Sequence, residues 1–88
     1  MRIVVVEDNE LYRDELLQCL EQEESDIEII GSAANGARGL ALVEKLVREK
    51  AGPDVIFTDI RMPKMDGFEM IEALQKRKIS CKIVITSS

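Results

Sequence analysis

Three short runs constrain this chain more than anything else in it: IVVV at Ile3–Val6, VIFT at Val55–Thr58 and IVI at Ile83–Ile85 are apolar and largely β-branched, with no polar alternation. A strand with one wet face alternates apolar and polar residues. An unbroken run therefore marks a strand covered on both faces, the condition of a parallel sheet between layers of helix. The intervening segments have helical spacing. Tyr12, Leu16, Cys19 and Leu20 fall on one face of a helix that starts after Glu7-Asp8-Asn9 and runs to about Glu23. Leu40, Val43 and Val47, with Leu42 and Leu46 beside them, predict a second helix over Ala37–Glu49, closed by Gly52-Pro53. A third runs from Gly67 to about Lys78 and carries Phe68, Met70, Ile71 and Leu74. The remaining strand, Ile27–Ala33, is broken up by Gly31 and Ser32 and followed by the turn pair Asn35-Gly36, a composition that suits a sheet edge.

The order is βαβαβαβ, which implies parallel strands joined by right-handed crossovers. At 88 residues there is room for one domain. Seventeen acidic against 12 basic residues give a formal charge of -5, and the lysines and arginines are scattered, so no electrostatic footprint for direct nucleic-acid binding is present. No run is long enough to span a bilayer and the opening MRIVVVEDN is no signal peptide, which points to the cytoplasm. Cys19 and Cys81 lie far apart without metal spacing and read as buried or half-buried thiols in a reducing compartment. With no histidine, imidazole chemistry on this chain is excluded.

In a parallel sheet all strands end along one rim, where ligands bind. That rim gathers Glu7 and Asp8 after the first strand, Asp59 at the end of the third and Thr86 at the end of the fourth. Converging carboxylates repel and lose hydration unless a cation or protons offset the cost. Hard oxygen donors without histidine or nearby thiol point to Mg²⁺, which keeps several waters and accepts phosphate oxygens.

The acidic pair Glu7-Asp8, the segment PDVIFTD ending at Asp59, the following IRMPKMDGFE and the closing IVITSS resemble, in order and along the whole chain, the receiver domain of two-component response regulators. The resemblance implies a flavodoxin-like parallel α/β fold with strand order 2-1-3-4. It implies that Asp59 accepts a phosphoryl group from a sensor histidine kinase, with Mg²⁺ held by Glu7, Asp8, Asp59 and the backbone carbonyl of Arg61, Asp8 being the more direct ligand. Thr86 would bond a phosphoryl oxygen, Ser87 would leave room for it, and Met62-Pro63 and Asp66-Gly67 would shape the loop. Arg61 stands where the family tunes the lifetime of the phosphoryl group. A carboxylate is a competent nucleophile toward phosphorus, and positioning and charge neutralisation supply most of the catalysis.

Other residues have plainer readings. Asp54 lies at the opposite end of its strand from Asp59 and reads as a cap or turn residue, Asp66 as a helix-entry residue, and Met62, Met65 and Met70 as packing. The family has five strands and five helices; four strands and three helices fit into these residues, so its last strand and last two helices, a lysine and an aromatic switch residue fall outside them. The domain is thus expected to be a partial receiver over residues 1–88, impaired in phosphoryl transfer and self-associating through an exposed fourth strand or uncovered apolar faces, with an output domain, DNA-binding in many regulators, elsewhere. The rival class is a receiver-like interaction module without phosphoryl transfer. An aspartyl phosphohydrolase fits less well, because Ile60-Arg61 follow Asp59 where such enzymes place a second aspartate.

Overall fold

The computed structural model describes residues 1–23, 26–62 and 65–86. The elements are β1 (Arg2–Val6), α1 (Glu10–Glu23), β2 (Glu28–Ala33), α2 (Gly36–Arg48), β3 (Val55–Asp59), α3 (Gly67–Lys76) and β4 (Lys82–Thr86). All strand pairs are parallel and the order is β2-β1-β3-β4, as expected. The sheet is doubly wound, and the alternation of side chains along β1 sorts the core into two halves. Val4 and Val6 face α2 and α3, packing with Ile56, Leu40, Val43, Met70 and Leu74. Ile3 and Val5 face the other way, with Val55, toward Leu16, Leu17 and Leu20 of α1. Four consecutive residues of β1, Ile3 to Val6, are 0% exposed, because the strand is covered on both faces and paired on both edges.

Short polar side chains start each helix by accepting from otherwise orphaned N–H groups. Asn9 Oδ1 accepts from Tyr12 N at 2.9 Å, and Asn35 Oδ1 from Arg38 N at 2.9 Å. Asp66 and Glu69 form a reciprocal capping box at the start of α3, with Asp66 Oδ1 accepting from Glu69 N at 2.8 Å. The exits of α2 and α3 are alike. Lys50 and Lys78 both take a left-handed φ of 57°, and the next residue's N–H closes onto the helix, Ala51 to the Leu46 carbonyl and Ile79 to that of Leu74.

One sequence expectation fails, and two other positions take parts the sequence left unspecified. Cys19 is exposed, not part of the buried stripe. At about 100° per residue, the centre of the stripe formed by Leu16, Leu17 and Leu20 lies more than a quarter-turn from it. Phe68 is 59% exposed, because it falls almost opposite Met70 and Leu74 around α3. Asn35-Gly36 turns the chain into α2 without a positive-φ glycine. Asn35 is extended, with φ -159°, and caps α2, and the glycine serves a close approach described below.

The outer strands differ from the inner pair. β4 carries half-buried Ile83 and Val84 and 48%-exposed Ile85 along an edge that is unpaired among the described residues, where apolar residues can recruit another strand. Half-buried Cys81 precedes it, and burial pushes its thiol pKa up. No helix among the described residues is long and apolar enough to cross a membrane.

Candidate functional site

The carboxyl ends of β1 and β3 bring Glu7, Asp8 and Asp59 together, each offering a carboxylate oxygen within 4.8 Å of the others. Their burial differs: Glu7 is 0% exposed and Asp59 4% exposed, while Asp8 opens to solvent. Glu7 is fixed by its backbone as much as by its side chain. Its N–H donates to the Ala33 carbonyl at 3.0 Å, its carbonyl accepts from Arg13 Nη1 at 2.9 Å, and its Oε2 accepts from Asn9 N at 3.0 Å. The second oxygen, Oε1, is buried and meets no donor among the described residues.

That orphaned oxygen has an electrostatic consequence. Burial pushes the Glu7 pKa above the ordinary 4.5; the Asn9 N–H opposes this, while hydrogen bonding with Asp8 and the charges of Asp59 and Asp8 add to it. Contact between two carboxylates is a hydrogen bond only while one of them holds a proton. Without a proton, the cluster calls for a cation. The donor set is all carboxylate, with one buried oxygen unsatisfied, so it fits a hard divalent cation that retains water, Mg²⁺ above all.

The remaining expected residues surround this cluster. Arg61 is exposed, and its N–H donates to Asp59 Oδ1 at 3.3 Å. Thr86 is in register with Asp59 on the neighbouring strand, and its Oγ1 is buried with no partner among the described residues. Met62 joins the core. Pro63, Lys64 and Ser87 lie outside the described residues.

Sequence reasoning missed how closely the backbone is packed beneath the cluster. A Cβ on Gly67 would lie 2.6 Å from the carbonyl oxygen of Asp59, and one on Gly36 would lie 2.2 Å from that of Met65. Gly67 N–H donates to the Ile60 carbonyl and Gly36 N–H to that of Met65, both at 2.9 Å. The starts of α2 and α3 thus clamp the loop that follows Asp59. Arg13 was also missed, since only the folded chain shows it reaching the Glu7 carbonyl.

A doubly wound parallel sheet with an acidic cluster at its carboxyl rim defines a class of domain that binds its ligands there. The chain belongs to the response regulator receiver domain family, whose sequence pattern matches residues 3–88. It is 40% identical over 87 residues to a protein-glutamate methylesterase/protein-glutamine glutaminase of Koribacter versatilis, covering 99% of this chain and 22% of that protein. Over 74 residues it is 42% identical to the transcriptional regulatory protein BtsR of Escherichia coli, covering 84% of this chain and 28% of BtsR. The signal receiver domain of the response regulator NarL from Mycobacterium tuberculosis superposes with a TM-score of 0.85 at 29% identity, covering 98% of this chain and 64% of that one. The chain thus spans between a fifth and a third of the length of these two curated relatives. It is a regulatory domain of two-component phosphorelay signalling, a family whose members are phosphorylated by histidine kinases and joined to output domains.

Proposed function

We propose that Asp59 is the phosphoacceptor of this domain and that Glu7, Asp8, Asp59 and the Arg61 carbonyl hold Mg²⁺ beside it. The observation that carries this reading is the convergence of Glu7, Asp8 and Asp59 on one point of the rim, with the Thr86 hydroxyl in register beside it. An oxygen of the Asp59 carboxylate attacks the phosphorus of a kinase phosphohistidine. The P–N bond breaks as the P–O bond of an acyl phosphate forms, and the imidazole leaves with the electron pair and takes a proton from solvent. Bound Mg²⁺ supplies neutralisation of the charge on the transferred oxygens.

The chain's own residues do the rest. The Arg61 N–H orients Asp59 through Oδ1. The Gly67 contact holds the Asp59 backbone still. Thr86 donates its unused hydroxyl to a phosphoryl oxygen, and its movement toward the new charge carries the signal outward. The domain is read as part of a longer cytoplasmic regulator with an output domain, and the apolar edge of β4, unpaired among the described residues, as a site of self-association. A compact monomer at micromolar concentration by sedimentation would remove that last element.

The test is to incubate the protein with Mg²⁺ and acetyl phosphate and to follow intact mass. One phosphoryl adduct is expected on the native chain and none on Asp59→Ala. An adduct that survives the substitution would end the assignment.

A further inference from the structure

Beside the acidic site, at the carboxyl end of edge strand β2, lies a cleft of opposite sign. It measures about 260 Å³ and is lined by Arg13, Ser32, Ala33, Ala34, Arg38 and Leu42. Two arginines, one from α1 and one from the first turn of α2, line it, and no acidic residue among the described residues does, in a protein whose formal charge is -5. Neither arginine is in an ion pair among the described residues. Arg13 is half-buried and steadied by its bond to the Glu7 carbonyl through Nη1, one of the donors of its planar fork.

The basic residues at the far end of the sheet do not make an equivalent site. Lys50, Arg77 and Lys78 also share a cleft, but they sit at the exits of α2 and α3, where cations compensate the helix ends. Arg77 is already paired with Glu44 and bonded to the Ala73 carbonyl. Arg13 and Arg38 are in no ion pair among the described residues, and Arg13 keeps its one bond to the Glu7 carbonyl.

We infer that the Arg13–Arg38 cleft is an oxyanion site for a small organic phosphate or carboxylate. The two guanidiniums and the Ser32 hydroxyl meet the anionic head, and Ala33, Ala34 and Leu42 meet a short carbon tail. The site is separate from the Asp59 carboxylate cluster and does not depend on its chemistry. It is linked to that cluster through the Glu7 carbonyl. An anion on Arg13 screens the positive field nearest Glu7, so it tightens Mg²⁺ binding at the acidic site, and by reciprocity Mg²⁺ tightens the anion.

The experiment is an NMR titration of the amide resonances with n-butyl phosphate and with inorganic sulfate, in buffer free of divalent ions. Saturable shifts are expected at Ser32, Ala33 and Ala34, stronger for butyl phosphate than for sulfate, and Arg38→Gln should weaken binding about tenfold or more. An Arg38→Lys variant, keeping the charge without the fork, should fall between the two. Shifts that do not saturate, that survive unchanged in Arg38→Gln, or that centre on Lys50 and Lys78 would overturn the site. Equal effects of sulfate and butyl phosphate would overturn the role of the apolar wall. Mg²⁺ affinity measured with and without saturating butyl phosphate should rise with the anion; an unchanged affinity would overturn the link to Glu7.

Discussion

Asp54 and Asp59 flank β3, one just before its first residue and the other at its last, and the fold treats them oppositely. Asp54 is exposed, and its Oδ2 accepts from the Arg2 N–H at 2.8 Å while its backbone bonds to β1 and β4. It finishes the sheet. Asp59 is buried within reach of two more carboxylates, beside a glutamate oxygen and a threonine hydroxyl that have no partner. Buried polar groups are nearly always satisfied, and unsatisfied ones collect where a ligand completes them. One end of the strand is closed by the chain alone; the other leaves two buried polar atoms without a partner among the described residues.

The largest effects should come from the glycines, because the rim has no slack. Gly36→Ala sets a Cβ 2.2 Å from the Met65 carbonyl oxygen and Gly67→Ala one 2.6 Å from that of Asp59, both against backbone. Each should cost about 1–3 kcal/mol or more in denaturant unfolding. At the lower end of the sheet, the Cβ of Gly52→Ala would meet the Val47 Cγ2 atom at 3.0 Å, a side-chain tip that can turn aside. Its cost should stay below about 1 kcal/mol. Equal costs at the three positions would break the contrast.

A second contrast is electrostatic. Glu7 holds its proton to higher pH in the folded chain than the ordinary 4.5, first because it is buried and then because Asp8 and Asp59 are near. Between those values the folded state binds more protons than the unfolded one. Without divalent ions, stability should therefore fall as pH rises from the unfolded Glu value through the raised one. Mg²⁺ should flatten this fall, and Glu7→Gln should remove it, while Asp54→Asn leaves it in place. Urea midpoints against pH for the three proteins, with and without Mg²⁺, would show it. A native midpoint that climbs across the window would contradict the account.

The smallest effects separate two threonines. Thr58 Oγ1 donates to the Asp59 carbonyl at 2.9 Å, so Thr58→Val should cost about 1 kcal/mol. Thr86 Oγ1 is buried without a partner, so Thr86→Val, which keeps the shape, should be neutral or stabilising by up to about 1 kcal/mol in the unphosphorylated protein. A clear loss at Thr86 would mean that its hydroxyl already serves the resting fold.

Much of the frame was legible because burial on both faces leaves a mark in one dimension. The runs at Ile3, Val55 and Ile83 are the strands observed, and parallel pairing then carries Glu7, Asp8 and Asp59 to one rim whatever the details of the loops. What was not legible depends on angles or on distant backbone. Cys19 fits the helical period of Tyr12, Leu16 and Leu20, yet α1 turns Leu17 inward in its place. Phe68 is apolar but points away from the sheet. The role of Gly36 depends on Met65, a residue far along the chain, and no local pattern encodes it.

The central claim is that cation binding belongs to one end of β3. Mn²⁺ suits the same oxygen ligands as Mg²⁺ and broadens nearby NMR signals. At substoichiometric Mn²⁺, the signals of Glu7, Asp8, Asp59 and Thr86 should disappear first, those of Asp54 and Lys78 should persist, and Asp59→Asn should raise the concentration needed. Broadening that is uniform, that begins around Asp54, or that is indifferent to Asp59→Asn would contradict the account.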